Sequence, residues 1–191
     1  LLLQFPLGHS LFLTARGRRV LAWMAPAGTG RTLATTTYAA IASVQLILLF
    51  AFWTPSGTVW WRAEGAMLWL MGTLYAGSWL FLTKASWDAG AEVQSGVLGW
   101  LSLLRGVAPQ FPPMPVTGLF RHIRHPIYLG FAMVTWTVPT WTPDQLLLAS
   151  TLTAYCALGP LAKERRFDAM FGERWRSYRA ATPFWVPRLR R

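Results

Sequence analysis

Five apolar segments separated by polar connections decide what this chain can fold into. They cover about 1–14, 35–53, 65–83, 126–141 and 145–162. A helix needs roughly 17 to 25 apolar residues to cross a bilayer. The second, third and fifth segments meet that length, the fourth is marginal, and the first is short because the chain begins inside it. Backbone polar groups in hydrocarbon must bond within their own segment, which favours helices. The expected fold is therefore all-α, an integral membrane bundle of about five transmembrane helices, with residues 1–191 forming one membrane domain.

Composition points the same way. Only 13% of residues are charged against 53% hydrophobic, whereas soluble domains carry about a quarter charged residues. The twelve Trp suit the two membrane interfaces. A net charge of +11 would suit nucleic acid, but the basic residues cluster between apolar runs and at the C-terminus. That pattern fits juxtamembrane anchoring and anionic lipid better than a nucleic-acid face, so no nucleic-acid partner is expected. Cys156, the single cysteine, rules out an intrachain disulfide. The chain starts without Met and already apolar, which reads as a first helix lacking its start rather than a signal peptide.

The connections give an orientation. Arg16, Arg18, Arg19 and Arg31 fill the first, while the second, 54–64, has one basic residue, Arg62. The third, 84–125, carries Lys84, Arg105, Arg121 and Arg124, and the turn at 142–144 carries none. The tail, 163–191, holds nine Lys or Arg against three acids. Basic-rich and basic-poor connections alternate, so the positive-inside rule puts the third connection and a helical C-terminal tail in the cytoplasm. Arg outnumbers Lys sixteen to two, a hint of a bacterial genome and so of a bacterial inner membrane. Within the third connection, 93–104 reads as a short helix along the membrane surface. Pro109, Pro112, Pro113 and Pro115 then make a stiff lead into the next segment.

That lead ends at Arg121-His122-Ile123-Arg124-His125-Pro126-Ile127-Tyr128-Leu129-Gly130. Charge packed against the start of a membrane helix is costly unless it sits at the interface or binds something. Pro126 suits the first helical turn, so free backbone N–H groups nearby face the mouth and attract an anionic group. The turn at 142–144 makes the last two segments an antiparallel hairpin. His125 and Glu164 average to position 144.5, the tip of that hairpin, so Arg124, His125 and Tyr128 should lie level with Lys163, Glu164 and Arg165. Such a mouth suits a zwitterion with a positive centre: the helix end, Arg124 and His125 for a carboxylate, Glu164 for an ammonium, and aromatic rings for a sulfonium. S-adenosylmethionine has that shape, as do other anionic ligands in part.

The segment Arg124-His125-Pro126-Ile127-Tyr128-Leu129-Gly130, then Glu164, then Phe171-Gly172-Glu173-Arg174-Trp175-Arg176-Ser177-Tyr178 with Pro183 and Pro187 beyond, resembles the isoprenylcysteine carboxyl methyltransferase superfamily of membrane methyltransferases. Gly8-His9-Ser10, the 38–61 stretch and the 104–113 stretch are similar to its bacterial methanethiol S-methyltransferase branch. The resemblance implies an S-adenosylmethionine cofactor held by Arg124, His125, Tyr128, Leu129, Gly130 and Glu164. It implies transfer of a methyl group to a small thiol such as methanethiol, giving dimethyl sulfide. Prenylcysteine carboxylates and phospholipid amines are the other acceptors of such enzymes. Three departures stand out: Lys163 replaces the first of a carboxylate pair, Trp175 replaces a tyrosine, and Ala85 and Ser86 stand where the branch has an Asn-His pair before an acid such as Asp88.

A thiol acceptor reacts as thiolate, and His125, Arg124 and His9 are the candidates to assist it. No metal is expected, because His9, His122 and His125 lack an accompanying acidic cluster. Arg121 and His122 lie outside the motif and read equally well as interface anchors. The reading from another class is a membrane carrier or subunit that keeps the fold without catalysis. A sterol-reductase-like enzyme using NADPH is a further alternative.

Overall fold

The computed structural model describes residues 1–26 and 28–187. The last three arginines of the basic tail, Arg188, Arg190 and Arg191, lie outside the described residues. In chain order the helices are α1 (Gln4–Phe12), α2 (Ala15–Met24), α3 (Gly30–Ala51), α4 (Gly65–Asp88), α5 (Ala91–Gln94), α6 (Val97–Leu104), α7 (Pro126–Trp136), α8 (Pro143–Phe171) and α9 (Glu173–Ala181). Two strands, β1 (Trp61–Arg62) and β2 (Thr140–Trp141), form one antiparallel pair with Trp61 opposite Trp141. Three helices, α3, α4 and α8, are long and apolar enough to cross a membrane.

The first and fourth apolar segments are shorter as helices than as hydrophobic runs. α1 has nine residues and α7 eleven. At 1.5 Å per residue α7 rises about 16 Å, roughly half of a hydrocarbon core of about 30 Å. The remainder of the fourth segment leaves helical geometry at Thr137 and becomes β2. The 93–104 helix is also broken: Gly96, at φ +77°, separates α5 from α6.

The chain divides into two compact units. The first holds residues 1–54 and 89–114. Here Gln4 donates through Nε2 to the Gln45 carbonyl at 2.7 Å, and Gln45 returns the bond to the Gln4 carbonyl at 2.9 Å. Two half-buried amides thereby satisfy two carbonyls and lock α1 onto α3. α2 starts at Thr14, whose hydroxyl accepts the Gly17 N–H at 3.0 Å as an N-cap. α6 lies on α3, where the Thr36 hydroxyl donates to the Gly96 carbonyl.

The second unit holds residues 55–88 and 115–187 among those described. α8 begins with a full start signal: Thr142 as N-cap accepting the Gln145 N–H at 2.9 Å, Pro143 next, and Asp144 in the first turn. Asp144 also accepts from the Ser56 N–H and hydroxyl, which ties the 54–64 connection to the α7–α8 turn. α7 packs on both α4 and α8. At Gly130 a side chain would come within 3.0 Å of Leu82, so the missing Cβ is what lets α7 approach α4. The β pair and the α7–α8 turn therefore mark one end of the helices α4, α7 and α8. The start of α7 and the last turns of α8 lie at the other.

Candidate active site

The segment leading into α7 is fixed before any functional residue is reached. Asp88, at the end of α4, accepts the Leu119 N–H at 2.8 Å and pairs with Lys84. Gly118, at φ +59°, lets the chain turn tightly against that carboxylate to form a 3-10 turn at Gly118–Arg121. Phe120 and Ile123 point inward and are buried, whereas Arg121 and His122 are exposed. His125, the N-cap of α7, is 1% exposed.

Glu164 meets this segment from α8. Its Oε1 lies 2.8 Å from His125 Nε2 and 3.1 Å from Arg124 Nε, and its Oε2 lies 3.3 Å from Arg179 Nε. A buried carboxylate must be paired or it costs several kcal/mol, roughly 3 or more, and here two guanidinium groups and an imidazole share it. The structure thus brings Arg124, His125 and Glu164 together, as the hairpin arithmetic anticipates, and adds Arg179. Glu164 is already paired within the protein rather than waiting for a ligand's ammonium.

Arg124 does more than face Glu164. Its Nη1 donates to the carbonyls of Arg179 at 2.9 Å and Thr182 at 2.5 Å, and its backbone N–H donates to the Pro183 carbonyl at 2.9 Å. One residue therefore straps the chain after α9 across the start of α7. Tyr178 strengthens the strap by donating to the Phe120 carbonyl at 2.6 Å. The strap delivers Phe184, whose ring lies 4.7 Å from the His125 ring and 5.7 Å from the Arg124 guanidinium carbon.

Burial pulls the His125 pKa down from 6.5 to about 4, against the bond to Glu164, which pulls it up. The ring is accordingly neutral near pH 7, with its proton on Nε2 donated to Glu164. Nδ1 then carries a lone pair. It is buried and has no hydrogen-bond partner among the described residues. A buried polar atom left without a partner calls for an explanation, and at a charged helix mouth a ligand is the natural one. The indole N–H of Trp185, next to Phe184, is a second such atom.

Tyr128 and Lys163 lie beside this centre. The Tyr128 ring meets His125 edge-on at 5.9 Å, and its face receives the Lys163 ammonium at 5.8 Å. The Leu129 N–H closes the first turn of α7 on the His125 carbonyl at 3.1 Å. The space at Gly130 is taken by α4. His9 belongs to the first unit, between Phe5 and Tyr38, with ring separations of 5.1 and 4.7 Å. Arg179, Thr182, Phe184 and Trp185 escape a sequence reading. Their only signal is the proline-ended tail, which says that the chain turns there and not where it docks. Among the described residues no group of His, Cys, Asp and Glu could hold a metal ion.

Known proteins are similar to the chain over most of its length. The chain is 29% identical to Methanethiol S-methyltransferase 2 of Bradyrhizobium diazoefficiens, over 97% of this chain and 70% of that protein. It is 30% identical to Methanethiol S-methyltransferase of Pseudomonas deceptionensis, over 81% of this chain and 60% of that protein. It is 34% identical to Nurim of Mus musculus, over 83% of this chain and 62% of that protein. The chain therefore spans about 60 to 70% of the length of these curated relatives. No family model matches the chain, and no solved structure matches it.

Proposed function

We propose that the chain is an S-adenosylmethionine-dependent methyltransferase of the isoprenylcysteine carboxyl methyltransferase-like family of membrane proteins, acting on a small thiol such as methanethiol. It is an integral membrane protein with a site made by the start of α7, the end of α8 and the strap after α9. The observation that carries the reading is the orphaned Nδ1 of a buried, neutral His125 beside a charge cluster of Arg124, Arg179 and Glu164.

These residues fit a zwitterionic cofactor. A lone pair on Nδ1 accepts an N–H of the ammonium, and it can do so because the ring stays uncharged. The start of α7 and the guanidinium of Arg124 attract the carboxylate. Glu164 fixes the tautomer of His125 and the position of Arg124, so it organises the site through both. The Trp185 N–H is free to donate to a ligand acceptor. When bound, S-adenosylmethionine supplies a methyl group already activated on a sulfonium. What remains for the protein is to align the acceptor with it and exclude water, which the burial of His125 and the Phe184 lid serve.

In this reading the single membrane domain makes about five crossings, with α1 and α7 completing the three longer helices. The basic connections and tail face the cytoplasm of a bacterial inner membrane, and the site opens on that side. Membrane lipid is the surrounding partner and the thiol the substrate. The branch of relatives named methanethiol S-methyltransferase, from Bradyrhizobium and Pseudomonas, supports thiol over prenylcysteine carboxylate or phospholipid amine. The test is purified protein with methyl-labelled S-adenosylmethionine and, in parallel, methanethiol, a farnesylcysteine analogue and phosphatidylethanolamine. Label in dimethyl sulfide alone supports the reading. Label in either of the others reassigns the acceptor, and no label anywhere favours a non-catalytic carrier.

A further inference from the structure

Lys163 is a cation that faces two aromatic rings beside this site. Its Nζ lies 5.8 Å from the centre of the Tyr128 ring and 5.2 Å from that of Phe167. No hydrogen bond or ion pair reaches that nitrogen among the described residues, and the side chain is half-buried. The neighbouring carboxylate, Glu164, is committed to Arg124, Arg179 and His125. Arg166, the other nearby charge, repels Lys163 rather than satisfying it. Two ring faces stabilise an ammonium only modestly. They leave its three N–H donors without acceptors.

A cation steadied by rings and short of an acceptor is a receptor for an anion. We propose that Lys163 binds the ionised sulfur of the methyl acceptor, a thiolate, and so selects that nucleophile over amines and neutral sulfur. The inference rests on the methyltransferase reading and deepens it. The Tyr128 ring joins the two halves of the site, its face to Lys163 and its edge to His125. The ammonium thus stands one ring away from the cofactor side.

The chemistry balances. The thiol loses its proton to solvent, and the ammonium holds the resulting charge on sulfur. That sulfur forms the new S–CH3 bond while the donor's C–S bond breaks and leaves its electron pair on the donor sulfur. A sulfonium and a thiolate become two neutral thioethers. The product has then lost the charge that Lys163 recognised, so the same contact that recruits the acceptor releases the methylated product.

The experiment uses benzenethiol, largely ionised at mildly alkaline pH, and its neutral methylated product thioanisole. Binding of each to the purified protein without cofactor is followed by tryptophan fluorescence. Wild type should prefer the thiolate by about tenfold, the size of one modest ion pair. K163Q should lose that preference while still binding thioanisole, and K163R should keep it. An unchanged preference in K163Q overturns the inference, and so does a proportional loss of both ligands, which would make Lys163 a shaping residue only. S-adenosylhomocysteine titrated into the same samples separates the two readings. If it binds while the thiolate preference is absent, Lys163 alone is misassigned. If neither it nor the thiol binds, the methyltransferase reading falls as well.

Discussion

His125 Nε2 and Glu164 Oε1 stand 2.8 Å apart although 39 residues separate them in the chain. The contact settles three things at once. It fixes which imidazole nitrogen holds the proton, it anchors the end of α8 to the start of α7, and it leaves Nδ1 as the unpaired nitrogen of the imidazole.

Replacing Glu164 tests the anchor. Glu164→Gln keeps the shape but removes the charge facing Arg124 and Arg179. Leaving the largely buried Arg124 without its carboxylate should destabilise the protein by about 3 kcal/mol. Thermal unfolding in detergent should show a clearly lowered midpoint, together with loss of S-adenosylhomocysteine binding. An unchanged midpoint would mean that the charge cluster is not buried in solution.

The acidity of His125 makes a signed prediction. Its folded pKa, about 4, lies below the ordinary 6.5 because of burial. Between those values the unfolded chain takes up a proton that the folded protein refuses. Stability from this residue is therefore complete above pH 6.5 and is lost as pH falls towards 4, by up to about 3 kcal/mol. Thermal midpoints measured across that range should fall with acid in wild type. They should fall less in His125→Asn.

Arg124 is predicted not to tolerate lysine. One guanidinium serves Glu164 and two carbonyls of the strap, at Arg179 and Thr182. A lysine offers one compact ammonium and cannot hold that fork. Arg124→Lys should free the chain after α9, read as faster limited proteolysis near residues 179–187. Affinity for S-adenosylhomocysteine should fall by about tenfold or more, the size of one charge-assisted hydrogen bond. Protease resistance equal to wild type would argue against the strap.

Gly118 and Asp88 separate backbone geometry from charge. Gly118→Ala places a side chain at φ +59° directly against the Asp88 carboxylate. That should cost about 1 to 3 kcal/mol. Asp88→Asn retains an acceptor for the Leu119 N–H and loses mainly the exposed pairing with Lys84, an interaction worth about 0 to 1 kcal/mol. Chemical unfolding should rank the two variants in that order.

Much of this was legible in the chain itself, and the reasons are specific. Hydrophobic runs at 35–53 and 65–83 mark α3 and α4, because length and apolarity are local properties. The Thr142-Pro143-Asp144 start of α8 is equally local, and with a tight turn it fixes which residues lie level at the far end. That is why Glu164 could be set opposite His125 from position alone. The strap was not legible. Arg124 binds backbone carbonyls of Arg179 and Thr182, and a carbonyl carries no residue signature. The break at Gly96 was hidden inside an apolar run that reads as one helix. The role of Gly130 also needed the structure, since a glycine signals close approach without naming the neighbour, here Leu82.

The central claim is that the His125–Glu164 centre holds S-adenosylmethionine. Calorimetric titration of S-adenosylhomocysteine into purified wild type and His125→Ala tests it most directly. The account predicts saturable one-site binding to wild type, and its loss in a His125→Ala protein that remains folded and membrane-inserted. Absence of binding to wild type, or equal binding to both proteins, would contradict it.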